Sequence, residues 1–269
     1  MGSAGEDLER GRDVAAFTSF DGTELYYEEE GTGAPVVLLH GLSASTKGNW
    51  QEPGIWAALV ETHRRVIGLD ARGHGRSDKP RDPSAYRDDA MVRDVAALFD
   101  HLGLEQTDLV GYSMGAGTAL RFAARDRRLR RLVLGGIGGD PAKWGGSEGE
   151  ARVQRSKRWL AGLEAEDPDA IEDKVARAAR RLFEARGNDL QAIAALLRGS
   201  RHLADDIDLG NVAAQTLVVC GDKDVSPDKL AAALPHAEAL VLGGDHEGVV
   251  VNPELARAIA SFVSAVEVA

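Results

Sequence analysis

The chain has 269 residues, a hydrophobic fraction of 43%, and 43 Asp and Glu against 32 Lys and Arg, for a formal net charge of −11. That length fits one sizeable domain, or one domain with an insertion, and is enough to bury a substantial core. The acidic balance argues against nucleic acid and against an anionic membrane surface as partners, since both attract basic patches, and no apolar run approaches the roughly 20 residues of a membrane span.

The chain opens with Met1 to Ala15, which is charged and lacks a signal-peptide apolar region, so a cytoplasmic location is expected. Phe17 to Glu30 reads as a β-hairpin turning at Asp21-Gly22, with Leu25-Tyr26-Tyr27 in the return strand. The fully apolar run Val36-Val37-Leu38-Leu39 suits a strand buried on both faces of a parallel sheet, and it ends at His40-Gly41. A helical segment around Trp56 to Glu61 leads to a second such strand, Arg65 to Asp70. Met91, Val95, Leu98, Phe99 and Leu102 recur at helical spacing within Ala90 to Leu102.

Next come an apolar run, Thr107 to Val110, the pentapeptide Gly111-Tyr112-Ser113-Met114-Gly115, and a helix-like run, Ala116 to Ala124. Strand, serine on a sharp turn, helix is the setting of a nucleophile elbow, whose glycines relieve collisions around a strained serine. Ser113 is therefore the candidate nucleophile. The arginines between Arg125 and Arg131 flank the turn into a strand at Leu132-Val133-Leu134 and read as a solvated face.

Alternation then stops. From about Pro141 to Asn211 the chain is rich in Ala, Arg, Glu and Asp, with Ile171, Val175, Ala178, Ala179 and Leu182, then Leu190, Ile193, Ala194 and Leu197, at helical spacing. This reads as a helical insertion entered through a flexible stretch at Gly145, Gly146 and Gly149. The β/α alternation resumes with Thr216 to Cys220, a helix near Lys229 to Leu234, the strand Ala239 to Leu242 and an amphipathic helix from Pro253 to Val266. The expected fold is α/β, a doubly wound, mostly parallel sheet with an antiparallel N-terminal hairpin. Cys220 is the one cysteine; it cannot form an internal disulfide and reads as a buried structural thiol.

Functional groups of open α/β sheets gather beyond the carboxyl ends of strands. Four polar sites fall there: His40-Gly41-Leu42, Ser113, Asp222 with Asp224, and Asp245-His246. A serine hydroxyl needs a base within hydrogen-bond reach and an anion to orient that base, and the order Ser113, Asp224, His246 supplies both. The acid has rivals in Asp222 on the same loop, Asp140 after the preceding strand, and Asp245; Asp222 and Asp245 read rather as turn residues. His40 and His74 are expected to hold loops by hydrogen bonds, and His63, His101, His202 and His236 to be surface or structural. Oxyanion donors are expected from the backbone N–H groups of Leu42 and Met114.

At these residues the chain resembles the α/β-hydrolase family, from about Phe17 onward and toward its serine esterase and non-haem haloperoxidase-like branch. His40-Gly41 resembles the oxyanion-loop motif, Asp70 to Ser77 the loop after the next strand, and Gly111 to Gly115 the elbow. Gly221 to Asp224 resembles the acid loop, and Gly244-Asp245-His246 the histidine loop. The resemblance implies Ser113 as nucleophile, His246 as general base and then acid, Asp224 as orienting carboxylate, and a helical cap over the pocket. Residues 1–140 and 213–269 would then form the hydrolase core and 141–212 the cap. An elbow serine argues against haloalkane dehalogenases and epoxide hydrolases, which place an aspartate there.

Ester or lactone hydrolysis of a small molecule is the expected reaction. A carbon–carbon hydrolase, a cofactor-free perhydrolase, or a small-molecule receptor on the same scaffold are its rivals. Trp144 and Trp159 are candidate substrate contacts, with Trp50 just after the oxyanion loop. No cofactor or metal is expected: Gly115-Ala116-Gly117 lacks the third glycine of a dinucleotide fingerprint, no P-loop is present, and His246-Glu247 has no second histidine at zinc-ligand spacing.

Overall fold

The computed structural model describes residues 12–200 and 207–265. Its frame is an eight-stranded sheet of β1 (Asp13–Thr18), β2 (Glu24–Glu30), β3 (Pro35–Leu39), β4 (Arg65–Asp70), β5 (Thr107–Tyr112), β6 (Leu129–Gly135), β7 (Gln215–Gly221) and β8 (Ala237–Leu242), in the order β1-β2-β4-β3-β5-β6-β7-β8. β2 is antiparallel to both of its neighbours, and every other pairing is parallel. The expected hairpin is there, with Gly22 at φ 91° in its turn. Strand order reverses direction between β3 and β5, so the crevice beyond their carboxyl ends is the switch point where ligands bind in open α/β sheets.

Eight α-helices accompany the described strands: α1 (Ile55–Glu61), α2 (Ala90–His101), α3 (Met114–Ala123), α4 (Ser147–Leu163), α5 (Lys174–Ala185), α6 (Leu190–Gly199), α7 (Asp228–Ala233) and α8 (Pro253–Ser264). Successive strand residues point to opposite faces, and both faces here are covered. Val37 and Leu39 pack with α2 and α3 through Leu98, Phe99, Ala119 and Leu120. Val36 and Leu38 pack with α1 and α8 through Trp56, Leu59, Leu255 and Ile259. This two-sided burial is why β3 reads as a continuous apolar run. No helix among the described residues is long and apolar enough to cross a membrane.

Three expectations need correction. Arg130 and Arg131 are not part of a solvated face: Arg131 is buried, and both donate to the Val263 carbonyl at the end of α8, at 3.1 and 3.3 Å. Arg64 donates to the same oxygen at 2.8 Å, and Arg64 and Arg130 both pair with Asp108, a fully buried carboxylate in β5. The orphan carbonyls and negative dipole end of a helix favour such cations. Gly149 is no flexible entrance either; it lies in the first turn of α4, where a Cβ would come 2.1 Å from the Trp144 carbonyl oxygen. Ile171 precedes α5, and within that helix Ala179 joins a small core with Phe183 and Ile193 while Leu182, 37% exposed, borders a cavity. His202 and Val266 lie outside the described residues.

Candidate active site

Ser113 sits between β5 and α3 at φ 53° and ψ −110°, a backbone conformation costly for any residue with a Cβ. The neighbouring strands and helix hold it there. Its N–H donates to the Gly135 carbonyl at 2.8 Å, and its carbonyl accepts from the Gly117 N–H at 3.0 Å. The flanking glycines are obligatory on steric grounds: a Cβ on Gly111 would lie 2.4 Å from the Gly115 oxygen, and one on Gly115 would lie 2.1 Å from the Leu39 oxygen.

His246 lies on the loop after β8, with Nε2 3.0 Å from Ser113 Oγ and Nδ1 2.7 Å from Asp224 Oδ2. Ionised Asp224 can only accept, so the proton belongs on Nδ1, and Nε2 is left to accept the serine hydroxyl proton. The hydrogen bond to Asp224 raises the imidazole pKa above its ordinary 6.5, against the opposing effect of burial. The second Asp224 oxygen accepts the Val225 N–H at 2.8 Å. Asp222 and Asp245 instead accept backbone N–H groups of Gly244 and Gly248, each at 2.8 Å, as turn residues do. Asp140 caps a short turn through Ala142 N–H and pairs with Lys229 at 2.8 Å.

The amides of Leu42 and Met114, the expected oxyanion donors, are each oriented by the carbonyl before them. In a trans peptide the C=O and the following N–H point opposite ways. The Ser113 carbonyl is tied down by Gly117, which aims the Met114 N–H outward at the positive end of α3. The Gly41 carbonyl is tied by His40 Nδ1 at 2.8 Å and by the Ala44 N–H at 3.1 Å, which aims the Leu42 N–H the other way. Among the described residues nothing accepts a hydrogen bond from either amide. Gly41 has room for this beside the elbow, its Cβ position being 3.6 Å from Ser113 Cβ.

Both loop histidines act as expected. His40 Nε2 accepts the Ala71 N–H at 3.0 Å, so its proton sits on Nδ1 and holds Gly41. His74 Nε2 lies 2.5 Å from the Leu42 carbonyl and is assigned the donor role there. Burial lowers the pKa of both, with His74 brought to about 4, so both rings are neutral at pH 7. Burial also pushes the Cys220 thiol up to about 12, in keeping with a structural role.

An open cavity of about 1660 Å³ lies over Ser113 and His246, walled on one side by the loops of the sheet and on the other by α4, α5 and α6. Trp159 lines it. Trp144 does not: it is buried in the core, with its indole N–H donating to the Gly138 carbonyl at 3.3 Å, so its expected substrate contact is withdrawn. Trp50 is likewise buried in the α1–α8 layer. The Leu42 and Met114 side chains pack against a cluster of Tyr86 with Ala195 and Leu196 of α6, so the helical segment meets the two loops that carry these amides.

Four supporting groups escaped sequence reading. Tyr112 donates to the His246 carbonyl at 2.5 Å, and Asn49 Oδ1 accepts the Gly41 N–H at 2.9 Å. Gly136, at φ 66°, makes room for the imidazole, since a Cβ there would lie 2.9 Å from His246 Cε1. Arg186 joins α5 to both catalytic loops, bonding Ser43 Oγ and pairing with Glu247 at 2.6 Å. Tyr112 and Gly136 stand next to recognisable motifs; Asn49 and Arg186 carry no local signal.

Residues 34–267 match a family model described as the alpha/beta hydrolase fold. The chain is similar to a non-heme haloperoxidase of Rhodococcus erythropolis, 38% identical over 45% of this chain and 43% of that protein. It thus matches less than half the length of that relative. A 2-hydroxymuconate semialdehyde hydrolase of Pseudomonas putida is 30% identical over 90% of this chain and 89% of its own length. Among solved structures, the enol-lactonase from Burkholderia xenovorans LB400 superposes with a TM-score of 0.63 at 26% identity, covering 93% of this chain and 98% of that one. The chain belongs to the α/β-hydrolase fold family.

Proposed function

We propose that this α/β-hydrolase cleaves a carboxylic ester or lactone of a small molecule through an acyl-enzyme on Ser113. The observation that carries the reading is the unbroken chain Ser113 Oγ to His246 Nε2, 3.0 Å, and His246 Nδ1 to Asp224 Oδ2, 2.7 Å, at the floor of a cavity with two unengaged amides beside it. Ser113 Oγ attacks the carbonyl carbon as His246 takes its proton, and the C–O bond to the leaving group breaks as His246 returns that proton to the leaving oxygen. The oxyanion rests on the N–H groups of Leu42 and Met114. Water, deprotonated by His246, then attacks the acyl carbon and frees Ser113. Asp224 keeps the imidazole in the tautomer that both half-reactions need. Residues 141–212 act as a cap that selects the acyl group, and the acidic charge and lone buried cysteine support a cytoplasmic setting.

The similarity to a 2-hydroxymuconate semialdehyde hydrolase over nine-tenths of the chain supports a second reading, a carbon–carbon bond hydrolase with the same three residues. The haloperoxidase relatives likewise support a perhydrolase reading, though over shorter matches. A panel of p-nitrophenyl esters of graded chain length beside a lactone set, with a serine-directed phosphonate probe, separates these. Ester turnover with labelling at residue 113 is expected. Labelling without turnover of any ester or lactone would favour the second reading, and no labelling would refute both.

A further inference from the structure

α4 presents Arg152, Arg155, Ser156 and Trp159 to the cavity, at the spacing that places residues on one helix face. The Nε and Nη2 atoms of Arg152 are shut off from solvent with no hydrogen-bond acceptor among the described residues. Its guanidinium stands 5.7 Å from the centre of the Trp144 ring, and that of Arg155 stands 5.3 Å from the centre of Trp159. Neither forms an ion pair among the described residues. Three arginines of the neighbouring helices are answered differently: Arg180 pairs with Glu184 at 2.5 Å, Arg186 with Glu247 at 2.6 Å, and Arg198 with Glu164. Arg158, on the outer side of α4, pairs with Asp173 at 2.8 Å.

Most carboxylates of the cavity are committed elsewhere, Glu52 on the loop before α1 being the exception among the described residues. Asp224 holds His246, Glu247 holds Arg186, Asp89 pairs with Arg125 at 2.6 Å, and Glu148, one turn before Arg152, accepts the Asp140 N–H at 3.3 Å. Glu148 attracts Arg152 without closing an ion pair, and a partly desolvated guanidinium with no acceptor on Nε and Nη2 is costly in a chain whose 43 acidic residues offered ample means to supply one. The pairing has been left to something that enters the cavity.

We infer that the substrate carries a carboxylate remote from the scissile carbonyl, and that Arg152, with Arg155 beside it, binds that carboxylate against the α4 wall of the cavity. This deepens the ester or lactone reading and rests on it. Aromatic rings backing both guanidiniums hold their planes in place, and a planar fork suits a carboxylate. The substrate class is thus the half-ester of a short dicarboxylic acid, or a lactone bearing a free carboxylate.

The test uses matched esters, mono-4-nitrophenyl glutarate and its neutral methyl ester, with the ratio of their kcat/KM values as the readout. The full chain is expected to favour the acidic ester by about tenfold or more, and Arg152→Met to erase about tenfold of that ratio, as loss of a charged hydrogen bond does. Arg152→Lys should restore part of the ratio, and Arg158→Met, on the outer side of the same helix, should leave it where it was. A wild-type ratio at or below one, or an Arg152→Met variant that slows both esters equally, would overturn the inference. Glutarate binding by calorimetry keeps this distinct from failure of the hydrolytic reading. If no ester turns over, glutarate bound by the wild type and lost in Arg152→Met still supports the anion site, and glutarate unbound by the wild type refutes it.

Discussion

The sheet and the helical segment between β6 and β7 solve different problems with the same residue types. In the sheet, arginines are buried and pinned: Arg72 is fully enclosed and bonds Asp94 at 2.6 Å, and Arg64 and Arg131 sit beneath the strands. In the segment, Arg158, Arg186 and Arg198 stand at or near the surface, and α4 turns the Arg152 guanidinium inward with no acceptor for its Nε and Nη2 among the described residues. The apolar residues differ likewise. Leu38 is wholly enclosed between the sheet and the α1–α8 layer, whereas Leu182 borders an open cavity. The lesson is that Ser113, Asp224 and His246 are held by loops at the sheet's edge, while the helical wall meets those loops at a few points, Arg186 on Ser43 and Glu247 among them.

The largest predicted effects lie at the floor. Ser113→Ala should cut kcat on an activated ester by about 10⁴ to 10⁶ with the melting temperature kept, and Asp224→Asn by about 10⁴. The pH profile sharpens this. The base must be neutral to accept the serine proton, and its pKa is raised, so the rate should climb with pH through an apparent value above 6.5. Asp224→Asn removes the principal cause of that rise and should move the limb toward lower pH. Retained turnover in Ser113→Ala would place the chemistry outside the sheet.

Next comes the oxyanion loop. Asn49→Ala frees the Gly41 N–H and should lower kcat by about 10² at most, the order of one lost oxyanion donor, with KM little altered. A change in KM alone would mean that the loop binds ground state and transition state alike.

Between pH 7 and pH 4.5 stability should fall through the loop that holds His74. Folded His74 takes a proton only near pH 4, whereas the unfolded chain takes it near the ordinary 6.5. Its contribution is therefore intact above pH 6.5 and drains away as pH drops toward 4, by about 3 kcal/mol in all. Denaturant titrations at pH 7 and pH 4.5 check the sign. The smallest effect separates the two regions most directly: Leu38→Ala should cost about 2–5 kcal/mol, and Leu182→Ala less than about 0.5 kcal/mol while shifting the chain-length profile.

Most of the floor was legible because its chemistry is local in the chain. Gly111 to Gly115 shows in five letters why the serine can be strained, and the strand ends at Leu39, Gly221 and Leu242 announce where polar groups gather. What was not legible depends on contacts made across long stretches of chain. Tyr112 reaches a carbonyl 134 residues away, and Arg186 reaches Ser43 across 143. Trp144 shows the limit at a single residue, since composition cannot tell a tryptophan that packs from one that binds. The arginines from Arg125 to Arg131 misled for the same reason, because the carbonyls that two of them meet belong to the far end of the sequence.

Those carbonyls bear on how the protein is made. Arg64, Arg130 and Arg131 converge on Val263, and two of them also neutralise Asp108 beneath the central strand. Until α8 has emerged from the ribosome, β5 and the elbow are in hand but the three guanidiniums lack the carbonyl on which they meet, so α8 completes the charge cluster beneath the middle of the sheet.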